Sequence, residues 1–417
     1  MKKINLFFLF LSFTMVLTNC NKSDDPISAP VNKHPNQFSL LIVNNGAIDV
    51  DLKPTLIWST ATDPENDPIT YDILLGTNNN PSTIIAENIN ETTFTFTNAL
   101  QFSEIFYWKV IAKDNAGNST ESNTYSFTTK GLFSQVTPDA NFTPREKHTS
   151  VVFKNKIWVI GGSSSVGDRL NDVWSSNDGI EWTEEVSNAP FSARSYHSSV
   201  VFDNKIWVIG GYGFKAMNDV WSSPDGINWT QVTSNAPFSA RTGSITVVFN
   251  NKIWVIGGET SSLNVQSDIW NSSNGINWTK VNTSGSFPAR GRHAGVVLNN
   301  KIWVIGGLTN NLMDNDVWSS SDGVNWTQVI SNAPFAKRYY HSAIAFDNKI
   351  WVIGGATKGG FMNDVWTSID GINWTEVATN APFSARDSHS TLVFTNKLWL
   401  FAGATTEGIK NDIWSKN

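Results

Sequence analysis

The sequence predicts an all-β chain in two parts, a β-sandwich followed by a ring of repeated four-stranded units. Three observations predict it. Residues 36–130 alternate apolar and polar in short runs between turn clusters. After Lys130 one unit of just under fifty residues recurs six times. Tryptophan is abundant, 19 residues against 7 Tyr, and it falls on the period of that repeat. With 16% charged and 12% aromatic residues, the chain is too apolar for disorder and too polar for a membrane bundle.

The first segment reads as an address. Lys2 and Lys3 precede an apolar run from Ile4 to Leu17, shorter than the roughly 20 residues a spanning helix needs. The run ends in Leu17-Thr18-Asn19-Cys20, which resembles a bacterial lipobox, with Asn19 departing from the usual Gly, Ala or Ser. The resemblance implies a signal peptide over 1–20, lipidation of Cys20 and a lipid anchor as the one membrane attachment. An ordinary signal peptide cut elsewhere is the alternative. Asn21-Lys22-Ser23-Asp24-Asp25 is similar to the acidic tether of Bacteroidetes lipoproteins, which implies an outer membrane lipoprotein exposed at the cell surface. Residues 21–35, with Pro26, Pro30 and Pro35, read as a flexible tether.

In residues 36–130 the runs Thr55–Trp58, Ile69–Leu75, Thr93–Phe96 and Tyr107–Ala112 suggest about seven short strands. With Trp58 early, Tyr71 in the middle and Tyr107-Trp108-Lys109-Val110-Ile111-Ala112 late, the span resembles a fibronectin type III domain, here a spacer. Asp63, Glu65 and Asp67 offer carboxylates to calcium or simply form a solvated turn.

The repeat carries its own alignment. Lys-Ile-Trp-Val-Ile-Gly recurs with Trp158, Trp207, Trp254, Trp303 and Trp351, and a variant copy has Trp399. A Gly-Gly pair follows the first five, then Asn-Asp-Val-Trp or a close variant, then Gly-Ile-Asn-Trp or a close variant. The pattern over 131–417 resembles kelch repeats, each one blade of a β-propeller, and so implies six blades. Each blade reads as strands a to d, like 198–202, 205–209, 219–222 and 228–232, with Asp-Gly or Asn-Gly turns joining c to d. The sixth copy ends after strand c. Phe133-Ser134-Gln135-Val136-Thr137 aligns with Trp229-Thr230-Gln231-Val232-Thr233, so this N-terminal strand is expected to close the ring.

The propeller resemblance also sorts the loops. The a-to-b and c-to-d turns barely differ between copies, whereas the d-to-a and b-to-c connections vary and share one mouth. Each d-to-a connection ends in Arg145, Arg194, Arg241, Arg290, Arg338 or Arg386. Kelch domains that recognise acidic peptides use Arg at this offset, so these six bind an anion or tie neighbouring blades. His148, His197, His293, His341 and His389 follow three residues later, with Ser244 in the third copy, and read as structural. The residues that break the repeat are the remaining candidates: Tyr196, Tyr212, Phe214, Arg292, Tyr339 and Tyr340.

Chemistry is bounded by composition. A single cysteine excludes disulfide frameworks and multi-thiolate metal centres. If Cys20 is acylated, the crosslinked copper site of galactose oxidase-like kelch enzymes is excluded as well. A formal charge of -6 argues against nucleic acid as a partner. No catalytic motif, metal site or cofactor is expected. The reading is a surface protein binding a glycan or protein at the variable mouth. The alternatives are a sialic acid mutarotase-like epimerase, with Glu146, Asp168, Glu259, Asp387 and Glu407 in the right loops, and an architectural subunit of an envelope complex.

Overall fold

A computed structural model describes residues 31–164, 168–260, 264–281, 288–309 and 312–416. Cys20, the leader and most of the tether lie outside the described residues, as do parts of three b-to-c loops.

The first unit is two facing sheets. Leu40–Ile42, Thr55–Trp58 and Thr93–Thr95 form one. Ala47–Val50, Tyr125–Thr129, Ile105–Lys113, Thr70–Gly76 and Thr83–Ile89 form the other, and Ser119–Glu121 pairs onto it. There are more strands than the sequence suggested, because the first one breaks at Gly46 (φ 75°) and its halves join different sheets. Trp58, Tyr71 and Trp108 are buried between the sheets, and the Tyr71 hydroxyl accepts the Ala61 N–H at 2.9 Å. The acidic turn is self-contained: one Asp63 oxygen accepts the N–H groups of Glu65 and Asp67. Among the described residues no three His, Cys, Asp or Glu side chains converge as a metal site.

The remainder is six antiparallel sheets among the described residues, five of four strands and a last one of five, in which the two-residue strand Arg386–Asp387 is the addition. The first has strands Thr149–Phe153, Lys156–Ser163, Arg169–Ser176 and Thr183–Val186, in order a-b-c-d. The a strands neighbour one another in chain order, and that of the sixth sheet, Ser390–Phe394, lies beside Thr149–Phe153. In this sixth sheet Ser134–Thr137 pairs with Gly408–Lys416. Gln135 stands opposite Trp414, as Gln231 stands opposite Trp221 in the second copy. Phe133 meets Phe383 edge-on at 5.2 Å, as Trp229 meets Phe191. The N-terminal strand therefore takes the place of strand d, and Phe133 takes the place of the missing tryptophan.

Tryptophan sits between sheets. The buried Trp158 ring lies where a Cβ on Gly226, in the next sheet's c-to-d turn, would fall 2.2 Å from it. Trp207 with Gly275, Trp254 with Gly323, Trp303 with Gly371 and Trp399 with Gly179 repeat the contact. Gly226 also holds φ +82°, which disfavours any L side chain. Gly226→Ala should therefore cost about 2–5 kcal/mol by urea titration, from overpacking and left-handed strain together. Gly46→Ala, at a similar φ of +75° but facing open space, should cost clearly less.

Candidate functional site at the mouth of the ring

Six repeated arginines lie beneath the mouth, and none reaches it. Each is at most 1% exposed. Arg338 is typical. Its Nη1 and Nη2 donate to the two carboxylate oxygens of Asp364 (2.7 and 2.6 Å), Nη1 also to the Gly354 carbonyl, and Nε to the Ala336 carbonyl. The guanidinium covers the Phe335 ring at 5.3 Å, and Trp366 Nε1 donates to the same Asp364. Arg145–Asp172, Arg194–Asp219, Arg241–Asp268, Arg290–Asp316 and Arg386–Asp412 repeat the fork. The main chain supplies the tie between sheets: Arg145 N–H donates to Lys410 of the sixth sheet, while its side chain bonds in the first. The anion-binding expectation for these six is thus corrected, because carboxylates and carbonyls of the chain already occupy the guanidiniums. The missed clue was the Asp of Asn-Asp-Val-Trp, which recurs wherever the Arg does.

The histidines form a tier around the axis, all buried. In four of the Gly-Gly pairs the first Gly makes room for the next sheet's imidazole: a Cβ on Gly161 would lie 3.1 Å from His197 Cε1. The second makes room for the same sheet's own residue of the tier, as Gly162 does for His148 and Gly258 for Ser244. His148, His197 and His389 bond through Nε2 to Ser390, Thr149 and Ser342 of the preceding sheets, at 2.8–3.0 Å. Burial, followed by the charge of the adjacent arginine, pushes His197, His293 and His389 down to about 3. The same causes hold His148 and His341 well below the usual histidine value. All five are neutral at pH 7.

One residue before this tier runs the lip of the mouth: Lys147, Tyr196, Gly243, Arg292, Tyr340 and Ser388. All six have φ between 52° and 57°. Each N–H donates to the preceding copy's carbonyl: Tyr196 to Lys147, Gly243 to Tyr196, Arg292 to Gly243, Tyr340 to Arg292, Ser388 to Tyr340 and Lys147 to Ser388. The bonds, 2.8–3.3 Å long, close a circle that holds the left-handed backbone at positions where it is otherwise unfavourable.

On this uniform backbone the side chains differ. The Tyr196 and Tyr340 rings stack at 5.2 Å with 29° between planes. Lys147 Nζ sits 4.9 Å from the centre of Tyr196, and the Arg292 guanidinium 5.1 Å from that of Tyr340. Each ring of the pair therefore has a cation beside it. Each cation is neutralised, Lys147 by Glu146 at 2.5 Å and Arg292 by Glu259 at 2.7 Å. Burial alone would lower the Lys147 value, but Tyr196 and Glu146 outweigh it and hold it above the ordinary lysine value. Tyr339 meets Tyr340 edge-on at 5.1 Å. Burial pushes the Asp387 carboxyl up to about 6, and Glu146 adds to the rise.

Of the residues expected from sequence, the structure brings together Tyr196, Arg292, Tyr339 and Tyr340. Tyr212 lies apart, half-buried under the Arg169 guanidinium at 4.6 Å, and Phe214 is fully exposed at the tip of that same loop. Lys147, Gly243 and Ser388 were missed. Their shared offset, two residues after each repeated Arg, would have found them. Below the stack is a cavity of about 140 Å³, lined by these lip residues and by the histidine tier with Ser244.

Comparison with known proteins agrees with this architecture. A solved chain described as "Structure of YjhT" superposes with a TM-score of 0.57 at 16% identity, covering 68% of this chain and 100% of that one. At that identity it speaks for the fold alone. No curated protein matches. The model of the KLHDC2/KLHL20/DRC7 Kelch-repeats domain matches residues 112–307 and 273–417, beginning within the late strands of the first unit. A repeat matched across most of the chain, folded as successive four-stranded sheets of kelch type, places this protein in the kelch-repeat family.

Proposed function

We propose that this chain is a binding protein whose six-bladed kelch propeller recognises a glycan or a surface protein at its mouth. A fibronectin type III-like spacer carries the propeller, and lipid on Cys20 anchors it as an outer membrane lipoprotein facing the cell exterior. One observation carries the reading. Six lip positions share one backbone conformation and one hydrogen-bond circle, yet hold Lys, Tyr, Gly, Arg, Tyr and Ser. The Arg two places before each is constant, and the His one place after it changes only in the third copy. A frame held constant while its side chains vary is what recognition of an asymmetric ligand requires.

The test is a glycan and surface-protein array probed with the purified full chain. Tyr339→Ala combined with Tyr340→Ala should weaken any captured ligand by at least about 30-fold, the scale of an aromatic anchor near 2 kcal/mol. Binding untouched by that pair overturns the mouth reading, and no binding at all favours the architectural alternative. Labelled fatty acid should enter the parent protein in cells and be lost in Cys20→Ala.

A second reading, a mutarotase-like sugar epimerase, draws on Asp387. A sheltered carboxyl titrating at about 6 beside Glu146 is suited to proton transfer near neutrality. If it does this work, the parent should accelerate anomer exchange of free sialic acid in NMR and Asp387→Asn should abolish the acceleration. No acceleration by the parent removes the reading.

A further inference from the structure

The six-fold pattern has one break, in the third copy. Gly243 brings no side chain to the lip, and Ser244 replaces the histidine beneath it. The neighbouring glycines record the loss. A Cβ on Gly161, Gly257, Gly306 or Gly354 would meet an imidazole at 3.0–3.1 Å, whereas one on Gly210 would meet only backbone. The cavity touches both tiers at this break.

In the two copies that follow the break, the cavity lining holds two unsatisfied groups. His293 and His341 are each 6% exposed, and the Nε2 atom of each is buried without a hydrogen-bond partner. The cause is local. The residues that answer Nε2 in other copies are Thr149, Ser342 and Ser390, but the corresponding positions here are Ile245 and Ala294. A buried polar atom left unpaired destabilises the fold, so a partner entering the cavity would be held.

Charge and size restrict that partner. The lip's two cations are already paired with Glu146 and Glu259, and the imidazoles are neutral, so the site offers an anion no free counter-charge. A hydroxyl both donates and accepts, and therefore satisfies either tautomer of each histidine. At about 30 Å³ per water, the cavity takes the equivalent of four or five waters, enough for a hydroxylated arm but not a whole sugar ring.

We propose that the mouth takes an uncharged carbohydrate, its ring resting on the Tyr196–Tyr340 stack and one hydroxyl-bearing arm entering past Gly243 and Ser244 to the Nε2 atoms of His293 and His341. The proposal rests on the mouth reading above and narrows it from glycan or protein to neutral glycan.

Ser244→His is the decisive variant. It installs the side chain that the other five copies carry, against Gly210 and within reach of Ser198, so the fold accommodates it. On an array pairing neutral oligosaccharides with their sialylated forms, the parent should prefer the neutral ones. Calorimetric titration of the best should weaken at least tenfold in Ser244→His, with thermal stability kept or raised. Preference for sialylated forms, capture of proteins but no glycan, or full affinity in a folded Ser244→His each overturns the proposal. The last two leave the mouth reading itself standing, because that reading depends on Tyr339 and Tyr340 rather than on Ser244.

Discussion

Lowering the pH from 7 to 5 is expected to destabilise the repeat domain by several kcal/mol. The five axial histidines are neutral when folded and protonate readily when unfolded, so the unfolded chain binds more protons as the pH falls. Their contribution is fully present above about pH 6.5 and is lost as the pH drops towards 3. At pH 5, each of His197, His293 and His389, with folded values of about 3, costs about 2 kcal/mol, or about 6 together. His148 and His341 shift in the same direction and add to this. Asp387 opposes, because a folded value raised to about 6 stabilises the folded state as it protonates, by roughly 1 kcal/mol between pH 7 and 5. The net loss approaches the 5–15 kcal/mol total typical of folded domains. Urea midpoints measured across this range should fall steeply, and midpoints that stay level would show that the imidazoles are charged or solvated in the folded state.

Arg338→Ala should destabilise the protein by about 3–5 kcal/mol, because it strands a buried carboxylate rather than deleting one contact. Asp364 is 4% exposed, and the substitution removes both arms of its fork and leaves it the Trp366 N–H. Arg338→Lys should recover only part of this, since an ammonium cannot span both oxygens and the Gly354 carbonyl together. Adding Asp364→Ala to Arg338→Ala should cost less than the two single changes summed, because the second removes the orphaned charge. A mild effect of Arg338→Ala on stability with a large effect on ligand binding would restore the anion-binding role to these arginines.

What was legible in the sequence followed from repetition. Six aligned copies exposed the strand order, the scheduled tryptophans and the strand that fills the last sheet, even to Phe133 standing in for Trp. Repetition also misled. Arg at the end of a variable loop suggested a ligand, whereas its partner Asp lies 25–27 residues further on, within a motif that looked merely structural. Side-chain direction decided the matter: the repeated Arg turns inward, and the residue two places on lies at the axis. The Tyr196–Tyr340 stack was illegible for another reason. The two residues are 144 apart in sequence and come together only because the ring places their sheets on opposite sides of its axis.

The proposed function assigns recognition to the lip and not to the opposite face, where Ile227 and Ile276 stand exposed on the repeated turns. The most direct measurement is the dissociation constant of an array-identified ligand for three full-length proteins: the parent, Tyr196→Ala with Tyr340→Ala, and Ile227→Ala with Ile276→Ala. The account predicts a loss of at least about 30-fold in the tyrosine pair and parent-like affinity in the isoleucine pair. Parent-like affinity in a folded tyrosine pair, with the loss falling on the isoleucine pair, would contradict it.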